Sequence, residues 1–205
     1  MYFNIHGMRN VASADPAIVR FVADQMAKIP EDLEQSDAIR GFSALHARVS
    51  TRARKLRASP ENLLMYFRKH DDLPRINGIV DVYNAISTRS GIAIGAHDLR
   101  HVSGDIELRL TLGNETFRPL GAVDIASVPP AEYAYVDAAG DILCRLEVRQ
   151  VEKSKISLQS SDAFFIVQGH DGVGMGAIAA AASDLQRACL DLFGGRVEEL
   201  NSAPV

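Results

Sequence analysis

Four short polar residues, Asn77, Asp81, Asn84 and Thr88, recur at i, i+4, i+7 and i+11. On a helix that spacing sets them in one line down one side. Solvated stripes ordinarily carry Lys, Glu and Arg, whereas Asn, Asp and Thr are poor helix formers. Their use calls for compensation, and fixed hydrogen bonds to a ligand or to a neighbouring loop would supply it. The opposite side, Ile76, Ile79, Val80, Tyr83 and Ile86, is apolar. The stretch Pro74–Arg89 therefore reads as an amphipathic helix that forms either one wall of a site or a tie to the loop after Arg89.

Other candidate chemistry is sparse. His97 and His101 lie four apart, a spacing that holds zinc on a helix, but they follow a predicted strand and lack a third ligand. Ser154 and Ser157 have no base nearby in sequence, and Asp105 and Glu107 read as a solvated strand face. The glycine-rich run Gly169–Gly176 lacks the lysine and hydroxyl of a phosphate loop, and no dinucleotide fingerprint precedes a helix. No metal and no cofactor are expected.

The elements that must position these residues follow from periodicity. Asp15-Pro16, Ser36 or Asp37, and Ser59-Pro60 are helix starts, and apolar residues recur behind each at helical spacing. After Gly91 the period becomes 2. Ile106, Leu108, Leu110 and Leu112 alternate with polar residues as a half-buried strand. A hairpin is expected across Asp137–Gly140, and Ala163–Val167 reads as a buried central strand. Met175, Ile178, Ala182, Leu185, Cys189 and Leu192 form a helical stripe that Gly194-Gly195 ends. Helices, then mostly antiparallel strands, then a helix is an α+β order, not the alternation of a parallel α/β sheet. The expected organisation is an N-terminal extension with one helix over 1–35, a main domain over 36–195, and a frayed tail over 196–205.

Composition sets the broad class. The chain has 205 residues, 47% hydrophobic, with net charge −4 and two cysteines. That is an ordinary globular balance, without a run long enough to cross a bilayer and without a secretory pattern at the start. A cytoplasmic address with buried, reduced Cys144 and Cys189 is expected. Charge is uneven: residues 36–75 hold nine Lys or Arg against four Asp or Glu. Such a stretch is either a footprint for a polyanion, with Arg52, Arg54, Lys55 and Arg57 at its centre, or the wet faces of two helices.

The run LPRINGIVDVYNAISTRSGIAIGAHDL, residues 73–99, resembles the B3/4 domain of the phenylalanyl-tRNA synthetase β subunit, and more closely the freestanding B3/4-domain proteins. Val151–Ile156 and Phe164–Gly169 resemble the far side of that domain, and Arg57–Leu64 the front of the freestanding proteins. The likeness spans roughly residues 36–195. It implies an editing-type pocket between the 74–89 helix and the strands around 92–97 and 150–156, which accepts the 3′ end of a mischarged tRNA. The substrate-binding set it implies is Arg75, Asn77, Asp81, Asn84, Ser87, Gly95, Lys153, Ser154 and Lys155. Asn84 matches the pocket asparagine. Gly95 stands where the synthetase pattern has a histidine, which leaves His97, two residues on, as the candidate catalytic group. Lys155 falls near a pocket glutamate, so that Arg75, Lys153 and Lys155 together would favour an anion. The implied partner is tRNA or aminoacyl-tRNA. Three activities fit: a trans-acting deacylase, a non-catalytic RNA-binding module, and a binder of an amino-acid-like small molecule.

Overall fold

The computed structural model describes residues 1–49 and 56–200. Among these residues five helices and eight strands form an α+β arrangement, as the order of periodicities predicts. The expected lysine- and arginine-rich centre at Arg52, Arg54 and Lys55 lies outside the described residues.

The first sheet is antiparallel, in the order β2-β7-β1-β8. Its centre is β7 (Ala163–Gln168), the apolar run expected to be a buried strand. Beside it lie β1 (Tyr2–His6) and β2 (Ala93–Asp98), and β8 (Arg196–Glu199) borders β1. The period-2 pleat gives this sheet two different faces. Phe3, Ile5, Ile94, Ala96, Phe165 and Val167 join the core beneath the helices, whereas Tyr2, Phe164 and Ile166 pack on the second sheet.

The helical layer consists of α1 (Pro16–Met26), α4 (Gly78–Ser90) and α5 (Met175–Phe193), with α2 (Asp37–Val49) and α3 (Ser59–His70) at the side. Asp15 caps α1, its carboxylate accepting the Ala17 N–H at 2.9 Å, with Pro16 at the first position. The last helix buries Ile178, Ala182, Leu185 and Cys189 from the expected stripe. Among the described residues no helix is long and apolar enough to cross a membrane.

The second sheet is antiparallel, in the order β3 (Ile106–Leu110), β4 (Tyr133–Asp137), β5 (Ile142–Arg145) and β6 (Arg149–Gln150). The hairpin between β4 and β5 is the one expected across Asp137–Gly140.

Three expectations need correction. The first residues, read as an extension with one helix, also supply β1, a strand inside the main sheet; five residues are too few to show a period. The frayed tail is in part the strand β8. Gly194 and Gly195 adopt positive φ and turn the chain straight back. At Gly195 a Cβ would stand 2.5 Å from the His6 carbonyl oxygen, so only glycine permits this approach. The apolar side of β3 is not buried: Leu108, Leu110 and Leu112 are 54%, 58% and 72% exposed. As the edge strand of its sheet, β3 has no described layer against that side, and alternation there does not report burial.

Candidate functional site

The polar stripe lies on a helix with no wet side, because every residue from Gly78 to Thr88 is buried. Its polar groups must then find partners within the protein. Asn77 is the N-cap of α4: its carbonyl oxygen accepts the Val80 N–H at 3.2 Å, and its amide donates to the Ile156 carbonyl at 3.1 Å. Asn10 accepts the Ile79 N–H at 3.0 Å. Asp81 accepts the Ile76 N–H at 2.8 Å and the Ser13 hydroxyl, and pairs with Arg75 at 3.3 Å. Ser87 donates to the Ile92 carbonyl at 2.7 Å, and Thr88 to that of Asn84 at 2.7 Å. The compensation that the poor helix formers require is real, and the chain itself supplies it, mainly from residues 10–13 and 156. Arg75, Asn77, Asp81 and Ser87, expected to bind substrate, thus hold the helix in place and do not line the cavity beside it.

That cavity, about 430 Å³, opens between α4, β2 and the second sheet. Asn84 reaches it, and among the described residues its side-chain amide has no hydrogen-bond partner. On β2, Gly95 and His97 line the same cavity, as residues two apart on a strand share a face. A Cβ at Gly95 would stand 2.8 Å from Gln150 Nε2, so the Gln150 amide occupies the space in which a side chain at 95 would begin. His97 is 1% exposed. Its Nδ1 lies 2.9 Å from Ser154 Oγ, and its Nε2 has no partner among the described residues. Burial pushes the imidazole down to about 4, so it is neutral at neutral pH.

The expected anion site is not assembled. Lys153 is held by Asp141 at 2.5 Å and Asp137 at 3.2 Å, Lys155 pairs with Glu152 on the surface, and Arg75 is committed to Asp81. None of the three lines the cavity. Each has an acid close by in the fold that outcompetes a distant pocket for its charge. Arg57, just before α3, pairs with Glu61 at 3.2 Å and does not line the cavity, whereas Ser59 and Asn62 do. Among the described residues the exposed cation on the lining is Arg149.

The structure adds a group that sequence reasoning missed. Glu147 lines the cavity and is buried. Its Oε1 lies 2.5 Å from His46 Nε2, its Oε2 accepts the Tyr133 hydroxyl, and Gln168 Nε2 donates to Oε2 at 3.3 Å. His46, fully buried on α2, has its Nδ1 3.1 Å from the Leu56 carbonyl, an oxygen that can only accept. Nδ1 therefore carries a proton, and only Nε2 faces the carboxylate. Burial pushes Glu147 up from the usual carboxylate range, opposed by its bonds to His46 and Tyr133. Burial works against the His46 cation, and the Glu147 bond and charge overcome it, so His46 is raised. Leu146 and Glu147 both have positive φ, 54° and 42°, a conformation that costs non-glycine residues roughly 1 kcal/mol or more each. Cys144 also lines the cavity, and burial pushes its thiol up to about 12, so it is no thiolate. Among the described residues no group of three His, Cys, Asp or Glu could hold a metal ion.

A helix-covered antiparallel sheet, a second sheet, and a cavity between α4, β2 and that second sheet define the class of domain. The chain belongs to the B3/4 domain family, whose model matches residues 43–186. Among solved structures it is similar to an N-terminal fragment of the phenylalanyl-tRNA synthetase β subunit from Pyrococcus horikoshii, with TM-score 0.55 and 14% identity. That alignment covers 96% of this chain and 45% of the fragment, and at such identity it shows a shared fold. Among curated proteins no sequence match is found.

Proposed function

We propose that the protein receives the aminoacylated 3′ end of a tRNA in this cavity and hydrolyses the aminoacyl ester. The observation that carries the reading is the cavity itself, about 430 Å³ with Asn84, His97 and Glu147 on its walls. That volume suits a small molecule or one aminoacyl group with part of its ribose. Val80, Ile94 and Leu120 on the lining offer an apolar surface to an amino-acid side chain. Asn84 and the unpartnered His97 Nε2 offer hydrogen bonds to the ester or the ammonium, and the exposed Arg149 on the lining offers a charge to phosphate. The fold neighbour is a fragment of a tRNA synthetase subunit, and a basic stretch over residues 36–75 suits an acceptor stem. A cytoplasmic location belongs to the same proposal.

The test is to incubate the purified protein with a panel of mischarged tRNAs at several salt concentrations. Hydrolysis of at least one member well above its spontaneous rate, weakening as salt rises, is expected. No hydrolysis of any member overturns the reading. A second reading, a free amino acid as ligand, is favoured by the opposite charges of Glu147 and Arg149 on one cavity. Thermal shifts with free amino acids in place of tRNA, with no ester cleavage, would select it.

A further inference from the structure

Among the described residues the cavity lining holds six titratable side chains: Tyr83, His97, Tyr135, Cys144, Glu147 and Arg149. Hydrolysis of an ester needs a group that accepts a proton from water near neutral pH. Arg149 cannot accept one. Burial raises both tyrosines and the Cys144 thiol, so these stay protonated, and it leaves His97 a weak base. Glu147 remains. A carboxylate has about four lone-pair positions, and three are taken by His46, Tyr133 and Gln168. The fourth has no partner among the described residues, on a side chain that lines the cavity from a backbone at positive φ.

We propose that Glu147 is the proton acceptor of this cavity, with His46 and Tyr133 as positioning residues that keep it ionised and aimed. The inference rests on the deacylase reading and adds the groups that perform it. A water molecule gives one proton to Glu147 as its oxygen bonds to the ester carbonyl carbon. When that tetrahedral centre collapses, the bond between the carbonyl carbon and the ribose oxygen breaks. The ribose oxygen then takes the proton back from Glu147, which releases the amino acid and a free tRNA hydroxyl. The carboxylate ends as it began, and no further reactant is consumed.

The groups facing Glu147 from each neighbouring element set its pH response. They are His46 from α2, Tyr133 and Tyr135 from β4, Cys144 from β5, and His170 after β7. His46 supports the ionised form most directly. His170 has its Nε2 3.1 Å from the Ala38 carbonyl, and its Nδ1 accepts the Gly172 N–H at 3.1 Å.

The experiment measures deacylation against pH for the full chain and for Glu147→Gln, His46→Gln and Tyr133→Phe, with nitrogen-15 NMR of the histidines beside it. Glu147→Gln keeps the shape and the bonds to Tyr133 and His46, and kcat is expected to fall about 100-fold or more. In His46→Gln the acid limb of kcat moves to higher pH with KM unchanged, and Tyr133→Phe moves it less in the same direction. In the wild type the His46 ring titrates above its ordinary value, and Glu147→Gln brings it down. A wild type that cleaves no ester overturns the deacylase reading and this inference with it. A wild type that cleaves while a folded Glu147→Gln cleaves equally well overturns this inference alone. So does an acid limb unmoved in His46→Gln, or a wild-type His46 that titrates at its ordinary value.

Discussion

Two histidines are almost wholly removed from solvent in this domain, His46 at 0% and His97 at 1% exposure, and they respond to burial in opposite ways. His97 meets only the Ser154 hydroxyl, and burial pushes it down to about 4. His46 meets the Glu147 carboxylate, and it is raised. Desolvation disfavours the charged form at both sites; the partner decides whether it wins. One domain thus holds a neutral ring with a free nitrogen at one wall of its cavity, and a ring sharing a proton with a carboxylate behind another. Each behaviour can be broken separately.

The largest effect is expected from His46→Ala. It leaves Glu147 buried without its opposite charge and opens a void in α2, and the loss of one member of a buried pair costs about 3–5 kcal/mol. Urea unfolding at pH 7 measures it, and a loss under about 1 kcal/mol would mean that the pair is not held as described. Next comes the acid limb of stability. His97 is lowered from 6.5 to about 4, so between those values the unfolded chain binds a proton that the folded protein does not. Stability therefore rises with pH across that window, and His97 contributes on the order of 3 kcal/mol to the rise. Unfolding midpoints from pH 4 to 6.5, compared with those of His97→Gln, isolate this share from that of the carboxylates. Equal slopes in the two proteins would break the contrast.

How much of this was legible beforehand depends on the kind of signal. The α+β order, the central strand Ala163–Val167 and the stripe of α5 were readable, because each repeats over enough residues to show a period. The helix α4 was readable too, but the burial of its polar side was not. A stripe of Asn, Asp and Thr looks the same whether it faces water, a ligand or the N-terminal segment that Asn10 and Ser13 bring against it. Glu147 was invisible: it sits in an ordinary stretch, and its conformation and partners come from residues 101 and 14 positions away. His46 did leave a trace. With Ile39 and Phe42 it makes the buried face of α2, and a histidine on an apolar stripe must find a partner. Gly95 and His97 were readable as residues sharing one strand face, while the Gln150 amide filling the place beside Gly95 was not.

The basic limb of stability sharpens the contrast from the other side. Because His46 is raised, the folded protein keeps a proton that the unfolded chain gives up above about 6.5. The stabilisation is complete below that pH and is lost as pH rises through the folded value, at most about 1.4 kcal/mol per pH unit for one proton. Urea midpoints from pH 6.5 to 8.5 should fall with this sign in the wild type and lose that component in Glu147→Gln, which cannot hold the charge. A rising midpoint would place the proton elsewhere.

The smallest effect belongs to Lys155→Ala, and it tests whether burial is what gives the His46–Glu147 pair its weight. Lys155 and Glu152 also form an ion pair, but the lysine is half exposed, three residues from its partner, and stands away from the cavity. Water solvates both charges well in the unfolded chain and nearly as well in the folded one, so little is gained by bringing them together. The substitution is expected to change stability by less than about 0.5 kcal/mol and to leave ester hydrolysis at the wild-type rate, measured in the same unfolding and deacylation experiments. A large loss of activity would return Lys155 to the site as an anion-binding group, and would mean that a surface lysine, not the buried pair, governs what the cavity accepts.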